Sequence, residues 1–68
     1  MSYEKLFYLK YKKGVSTYEL LWRFPESLNQ VADVALMDVP ENTLKEIIPD
    51  ERDLVRLMQL KKRFSSFF

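Results

Sequence analysis

A chain of 68 residues has room for one small domain, and with no Cys and no His it lacks disulfides and the two commonest zinc ligands. The same absences exclude a Ser/His/Asp triad, a Cys/His nucleophile and a Cys/His metal site, so the composition points to a non-enzymatic binding module without a cofactor. With 47% hydrophobic residues, 15% aromatic residues, a single Gly and a net charge of +1, the chain is globular in composition, neither disordered nor strongly polyionic overall.

Ser2 precedes Tyr3, Leu6, Phe7 and Tyr11 at helical spacing, Glu4 lies in the first turn, and Lys10, Lys12 and Lys13 lead to Gly14. This pattern predicts a helix suited to its macrodipole and ended by a left-handed glycine. Ser16-Thr17-Tyr18-Glu19 is a capping-box pattern, opening a second helix that Pro25 stops. Glu4–Lys12 and Val15–Phe24 also suit two strands about a Lys13-Gly14 turn, because Tyr18, Leu20, Trp22 and Phe24 alternate with mostly polar neighbours. A third helix is expected from about Ser27 to Met37 on the stripe Leu28, Val31, Ala32 and Ala35, widened by Val34 and Leu36. Asp38-Val39-Pro40 is a break, with Pro40 at a first helical position, and Leu44, Ile47 and Ile48 give a short fourth helix that Pro49 ends. Asp50 caps the last helix, Glu51–Phe64, whose stripe is Leu54, Leu57, Met58, the Lys61 stem and Phe64.

The preferred fold is therefore all-α, a compact bundle of about five short helices containing a helix-turn-helix-like unit. One domain spans residues 1–64, and residues 65–68 form an aromatic tail. The alternative is α+β, with an N-terminal β-hairpin over residues 4–24 followed by helices. Trp22 is the largest apolar side chain; its burial is expected to contribute about 2–3 kcal/mol, so that Trp22→Ala unfolds the domain. The longest apolar run, Val34-Ala35-Leu36-Met37, is far too short to cross a bilayer, which leads to the expectation of a cytoplasmic protein without a membrane partner.

Charge is unevenly placed. Met1–Phe24 carries five positive and two negative side chains, Pro25–Asp53 two and eight, and Leu54–Phe68 four and none. A nucleic-acid surface must then be assembled from the two ends, with the acidic middle held away from phosphates; equally, the ends neutralise the middle within the fold.

Lys13 to Val34, KGVSTYELLWRFPESLNQVADV, resembles the helix-turn-helix of small DNA-binding domains, in the form found in sigma-factor-like regions where a Gly-x-Ser turn opens the motif. The resemblance covers about a third of the chain and implies that Leu20 and Phe24 pack against Val31 and Val34, or alternatively that these four merely fill a three-helix core. It further implies base-edge contacts from the Asn29 and Gln30 amides, Ser27 near a phosphate, and flanking phosphate contacts from Lys10, Lys12, Lys13 and Arg23. Asp33 opposes this, because it places a carboxylate on a helix with no Arg or Lys. The turn Met37-Asp38-Val39 is a second candidate, followed by a helix carrying Glu41 and Glu46.

The C-terminus, Lys61-Lys62-Arg63-Phe64-Ser65-Ser66-Phe67-Phe68, resembles the short box by which replication and repair proteins dock on the sliding clamp. Lys61 stands in the Gln place, Phe64 in the aliphatic place, and Phe67 with Phe68 in the aromatic pair. The resemblance implies an apolar plug beside a basic rim, and the alternative is that the rings fold back on the bundle or seal a homodimer. Among weaker signals, Asp50, Glu51 and Asp53 suit a helix N-terminus better than a cation, and Tyr3, Tyr8 and Tyr11 interleave with Lys5, Lys10 and Lys12 as stacking residues for single-stranded nucleic acid or as core. The leading function is regulatory DNA binding; the alternative is a protein-binding inhibitor or adaptor docking its aromatic tail on a partner such as a sliding clamp.

Overall fold

Ser2 Oγ accepts a hydrogen bond from the Lys5 N–H at 3.3 Å and so caps the first helix, as the sequence leads one to expect. In the computed structural model, which describes residues 2–68, helix α1 spans Tyr3–Phe7 and runs on into a π-helical segment, Tyr8–Lys12. The widened turn brings the consecutive side chains of Lys10 and Tyr11 onto the same carboxylate, Asp38. Gly14 ends the segment at φ +70°, the left-handed conformation that favours glycine.

Helix α2 (Thr17–Arg23) opens on the expected capping interaction, Ser16 Oγ accepting from the Glu19 N–H at 3.1 Å. Its burial pattern decides between helix and hairpin. A strand would place Tyr18, Leu20, Trp22 and Phe24 on one face; a helix separates alternate residues by about 200°. Leu20 is fully buried and Phe24 half-buried, whereas Tyr18 and Trp22 are 74% and 75% exposed. The expected burial of Trp22 is thus corrected: the core-facing stripe runs through Leu20 and Phe24, leaving Trp22 in solvent.

After a 3₁₀ turn, Pro25–Ser27, helix α3 spans Leu28–Leu36. Its inward stripe is rotated from the expected one. Val31, Asp33, Val34 and then Met37 are buried, whereas Leu28 is 56% exposed and Ala32 is also outside. Helix α4 (Glu41–Ile47) follows Pro40, which sits just before the first helical residue rather than in it, and buries Leu44. Helix α5 (Glu51–Arg63) is capped by Asp50 Oδ1, which accepts from the Arg52 N–H at 2.9 Å. It buries Leu57, Leu60 and Phe64, with Met58 outside the stripe. Ser65–Phe67 form a final 3₁₀ turn.

Helix α3 packs on both α1 and α2, and the core gathers Leu6, Phe7, Leu20, Val31, Val34, Met37, Leu57, Leu60 and Phe64. The radius of gyration, 11.7 Å, is close to the roughly 11 Å of a compact domain of this length. Among the described residues there is no strand, and no helix is long and apolar enough to cross a membrane.

Candidate functional site

The unit formed by α2, the turn Pro25–Ser27 and α3 is held from beneath by Leu20, Val31 and Val34, all fully buried, with Phe24 half-buried. These are the four residues that the helix-turn-helix resemblance assigns to packing. Outward from them, the first half of α3 presents Leu28, Asn29 and Ala32, with Gln30 half-buried. Ser27 is only 7% exposed, so the hydroxyl expected near a phosphate is not free surface.

Asp33, the residue that opposed a DNA-reading helix, lies one turn along from Asn29 but is buried and hydrogen-bonded within the protein. Its Oδ2 accepts from Tyr3 Oη at 2.6 Å and Arg56 Nη1 at 2.7 Å, and its Oδ1 from Arg56 Nη2 at 3.1 Å. Arg56 also donates from Nη2 and Nε to Asp53, at 2.7 and 3.0 Å. Burial pushes the Asp33 carboxyl up, but the hydrogen bonds from Arg56 and Tyr3 and the guanidinium charge outweigh it and hold the group below its ordinary range. Arg56 is raised by its bonds to the two carboxylates, and Tyr3 by burial and by donating to Asp33. The carboxylate is therefore charged but buried and paired, sharing the Arg56 guanidinium with Asp53. Arg56 is not among the residues that the sequence singles out; the available signal was a lone Asp in an otherwise uncharged helix, which requires a cation from elsewhere once the helix packs.

The flanking cations are differently placed. Lys10, its side chain only 12% exposed, donates to Asp38 Oδ2 at 2.6 Å and to the Val34 carbonyl at 3.4 Å, near the C-terminal end of α3 and away from Asn29. It is thus a structural ion-pair partner rather than a free phosphate contact. Burial raises Asp38, but the bonds from Lys10 and Tyr11 and the charges of Lys10 and Lys61 hold it low, while burial and the bond to Asp38 raise the Tyr11 hydroxyl. Arg23 pairs loosely with Glu19 at 3.5 Å on exposed α2, an interaction worth about 0–1 kcal/mol and easily exchanged for a phosphate. Lys12 and Lys13 are exposed and form no ion pair among the described residues.

The C-terminal residues do not form a detached tail. Phe64 is 7% exposed and stacks on Phe7 with centroids 4.4 Å apart, so it belongs to the core and is not available to a clamp-like plug without unfolding. Phe67 is half-buried beside Phe7, and Phe68, 52% exposed, meets Tyr11 edge-on at 5.0 Å. Lys61 is half-buried, its Nζ 6.0 Å from the Phe68 ring. Asp50 and Asp53 are engaged by helix capping and by Arg56, and no cluster of metal-binding side chains forms among the described residues.

Comparison with protein-family models, curated proteins and solved structures finds no match to this chain.

Proposed function

We propose that this is a small non-enzymatic regulatory domain that binds duplex DNA through the edge of α3. The observation that supports it is the burial of Asp33 and its pairing with Tyr3 and Arg56, which leaves Leu28, Asn29 and Ala32 as an uncharged outer edge beside Gln30. An amide can pair with adenine in the major groove, and Leu28 and Ala32 suit contact with thymine methyl groups. With Lys10 committed to Asp38, the phosphate contacts reduce to Lys12, Lys13 and Arg23. Three contacts imply a slope of log K against log salt of about −2.7, shallow for a DNA-binding domain, and correspondingly modest affinity. Fluorescence anisotropy on a mixed-sequence duplex checks the slope. Selection from a random duplex pool checks specificity: Asn29→Ala should flatten the preference at one position by about 1–3 kcal/mol without changing the slope. A slope near zero would contradict the proposal.

A second function, docking on a protein, is supported by Tyr18 and Trp22, one turn apart on the solvent side of α2 and about three-quarters exposed. Exposed Trp and Tyr are the side chains that most often anchor protein interfaces. A partner captured after nuclease treatment and lost with Trp22→Ala, but retained with Asn29→Ala, would favour it over DNA.

A further inference from the structure

The two basic ends of the chain meet on one face. Phe7 of α1 stacks on Phe64 and also touches Phe67 and Phe68, which brings Tyr8–Lys13 beside Lys61–Phe68. Around the rings stand ammonium groups: Lys12 Nζ is 5.8 Å from the Phe67 centroid, Lys13 Nζ 5.8 Å from Tyr8, and Lys61 Nζ 6.0 Å from Phe68. Lys12, Lys13 and Lys61 form no ion pair among the described residues, although the charge of Lys61 also acts on Asp38, the carboxylate bound by Lys10 and Tyr11. Helix dipoles account for lysines in a last turn, but they do not account for Tyr8 and Phe68, 45% and 52% exposed in the middle of them. Tyr8 and Phe67 also line a shallow groove of about 320 Å³ with Ser2, Glu4 and Lys5. The acidic start of α5, Asp50 and Glu51, lies some eleven residues along the helix from Lys61. At 1.5 Å per residue that is roughly 16 Å, beyond the ~8 Å Debye length at physiological salt.

We propose that this face binds single-stranded nucleic acid, its bases stacking on Tyr8, Phe67 and Phe68 and its phosphates meeting Lys12, Lys13 and Lys61. Fixed rings among unpaired cations match a flexible polyanion whose bases are free to stack, whereas a duplex keeps its base faces hidden. Charge complementarity selects the polyanion, and the exposed rings select unstacked bases over an acidic peptide. Edge-to-face contact with Tyr11 holds Phe68 in place before the ligand arrives.

This site shares Lys12 and Lys13 with the proposed duplex site but not its α3 edge, and one titration separates the two. Fluorescein-labelled dT12 is titrated with full-length protein by anisotropy across a salt series, alongside the dT12·dA12 duplex and a twelve-residue poly-Glu peptide. Three phosphate contacts give a salt slope of about −2.1 for dT12, and Lys12→Gln with Lys61→Gln makes it shallower by about 1.4. Tyr8→Ala and Phe68→Ala each weaken dT12 binding roughly fivefold to a hundredfold. Phe68→Trp retains it, and Asn29→Ala leaves it unchanged. Circular dichroism confirms that each variant is folded. Absence of dT12 binding at 50 mM salt, unchanged affinity in both folded Ala variants, or a poly-Glu peptide bound as tightly as dT12 and indifferent to Phe68→Ala would overturn the proposal.

Discussion

Trp22 shows how one residue separates core from surface. Because 75% of it is exposed, Trp22→Ala should change stability by no more than about 0.5 kcal/mol, measured by urea unfolding, whereas a buried Trp would cost about 3–5 kcal/mol. Its placement was not legible in the sequence: residues 18–24 fit a period of 2 and a period of 3.6 equally, and only packing on α3 chose between them. Asp33 and Asp38 carry the acid dependence. Both carboxyls are held below their ordinary value near 3.9, so the stability they contribute is complete above that pH and is lost as pH falls through the lower folded values. Tyr3 and Tyr11 are raised instead, so their contribution is present below about pH 10 and is lost as pH rises through the higher folded values. Urea midpoints measured against pH should form a plateau that falls below about pH 4 and above about pH 10. Asp33→Asn should lower the plateau and soften its acid edge; stability rising from pH 5 to pH 3 would contradict the assignment.

At the scale of elements, what the sequence made legible was local. Ser2, Ser16 and Asp50 cap the helices expected of them, Gly14 takes a positive φ, and Pro25 and Pro49 bound their helices, because each of these effects acts within about four residues. Gly14→Ala tests this directly. No atom lies within 4 Å of the added methyl, so the cost is backbone strain alone, about 1–2 kcal/mol by thermal unfolding, with no change in fold. The phase of α3 was not legible. It is set by Val31, Val34 and Met37 entering a core built from distant elements, with Asp33 paired to Arg56, 23 residues away in sequence, and Leu28 outside. The same limit applied to the candidate site. Asn29 is exposed and Gln30 half-buried, and the capture of Lys10 by Asp38 joins residues 28 apart, so the number of free cations was overestimated.

For the whole molecule, stability and surface chemistry meet at the Phe7–Phe64 stack, which joins the N-terminal helix to the end of α5 and brings the basic ends together. A core this small seldom supplies more than about 3–5 kcal/mol, and Phe64→Ala should remove about that much, so the variant should be largely unfolded at 25 °C by circular dichroism. Part of the acidic middle of the chain is paired internally, Asp33 and Asp53 sharing Arg56 and Asp38 meeting Lys10, and the exposed edge of α3 is the uncharged Leu28, Asn29 and Ala32. The claim that this edge reads duplex DNA is tested most directly by amide chemical-shift mapping of the labelled protein with a mixed-sequence duplex. The account predicts shifts concentrated at Leu28, Asn29, Gln30 and Ala32, with smaller ones at Lys12, Lys13 and Arg23; a duplex that leaves Leu28 to Ala32 unmoved at saturating concentration would contradict it.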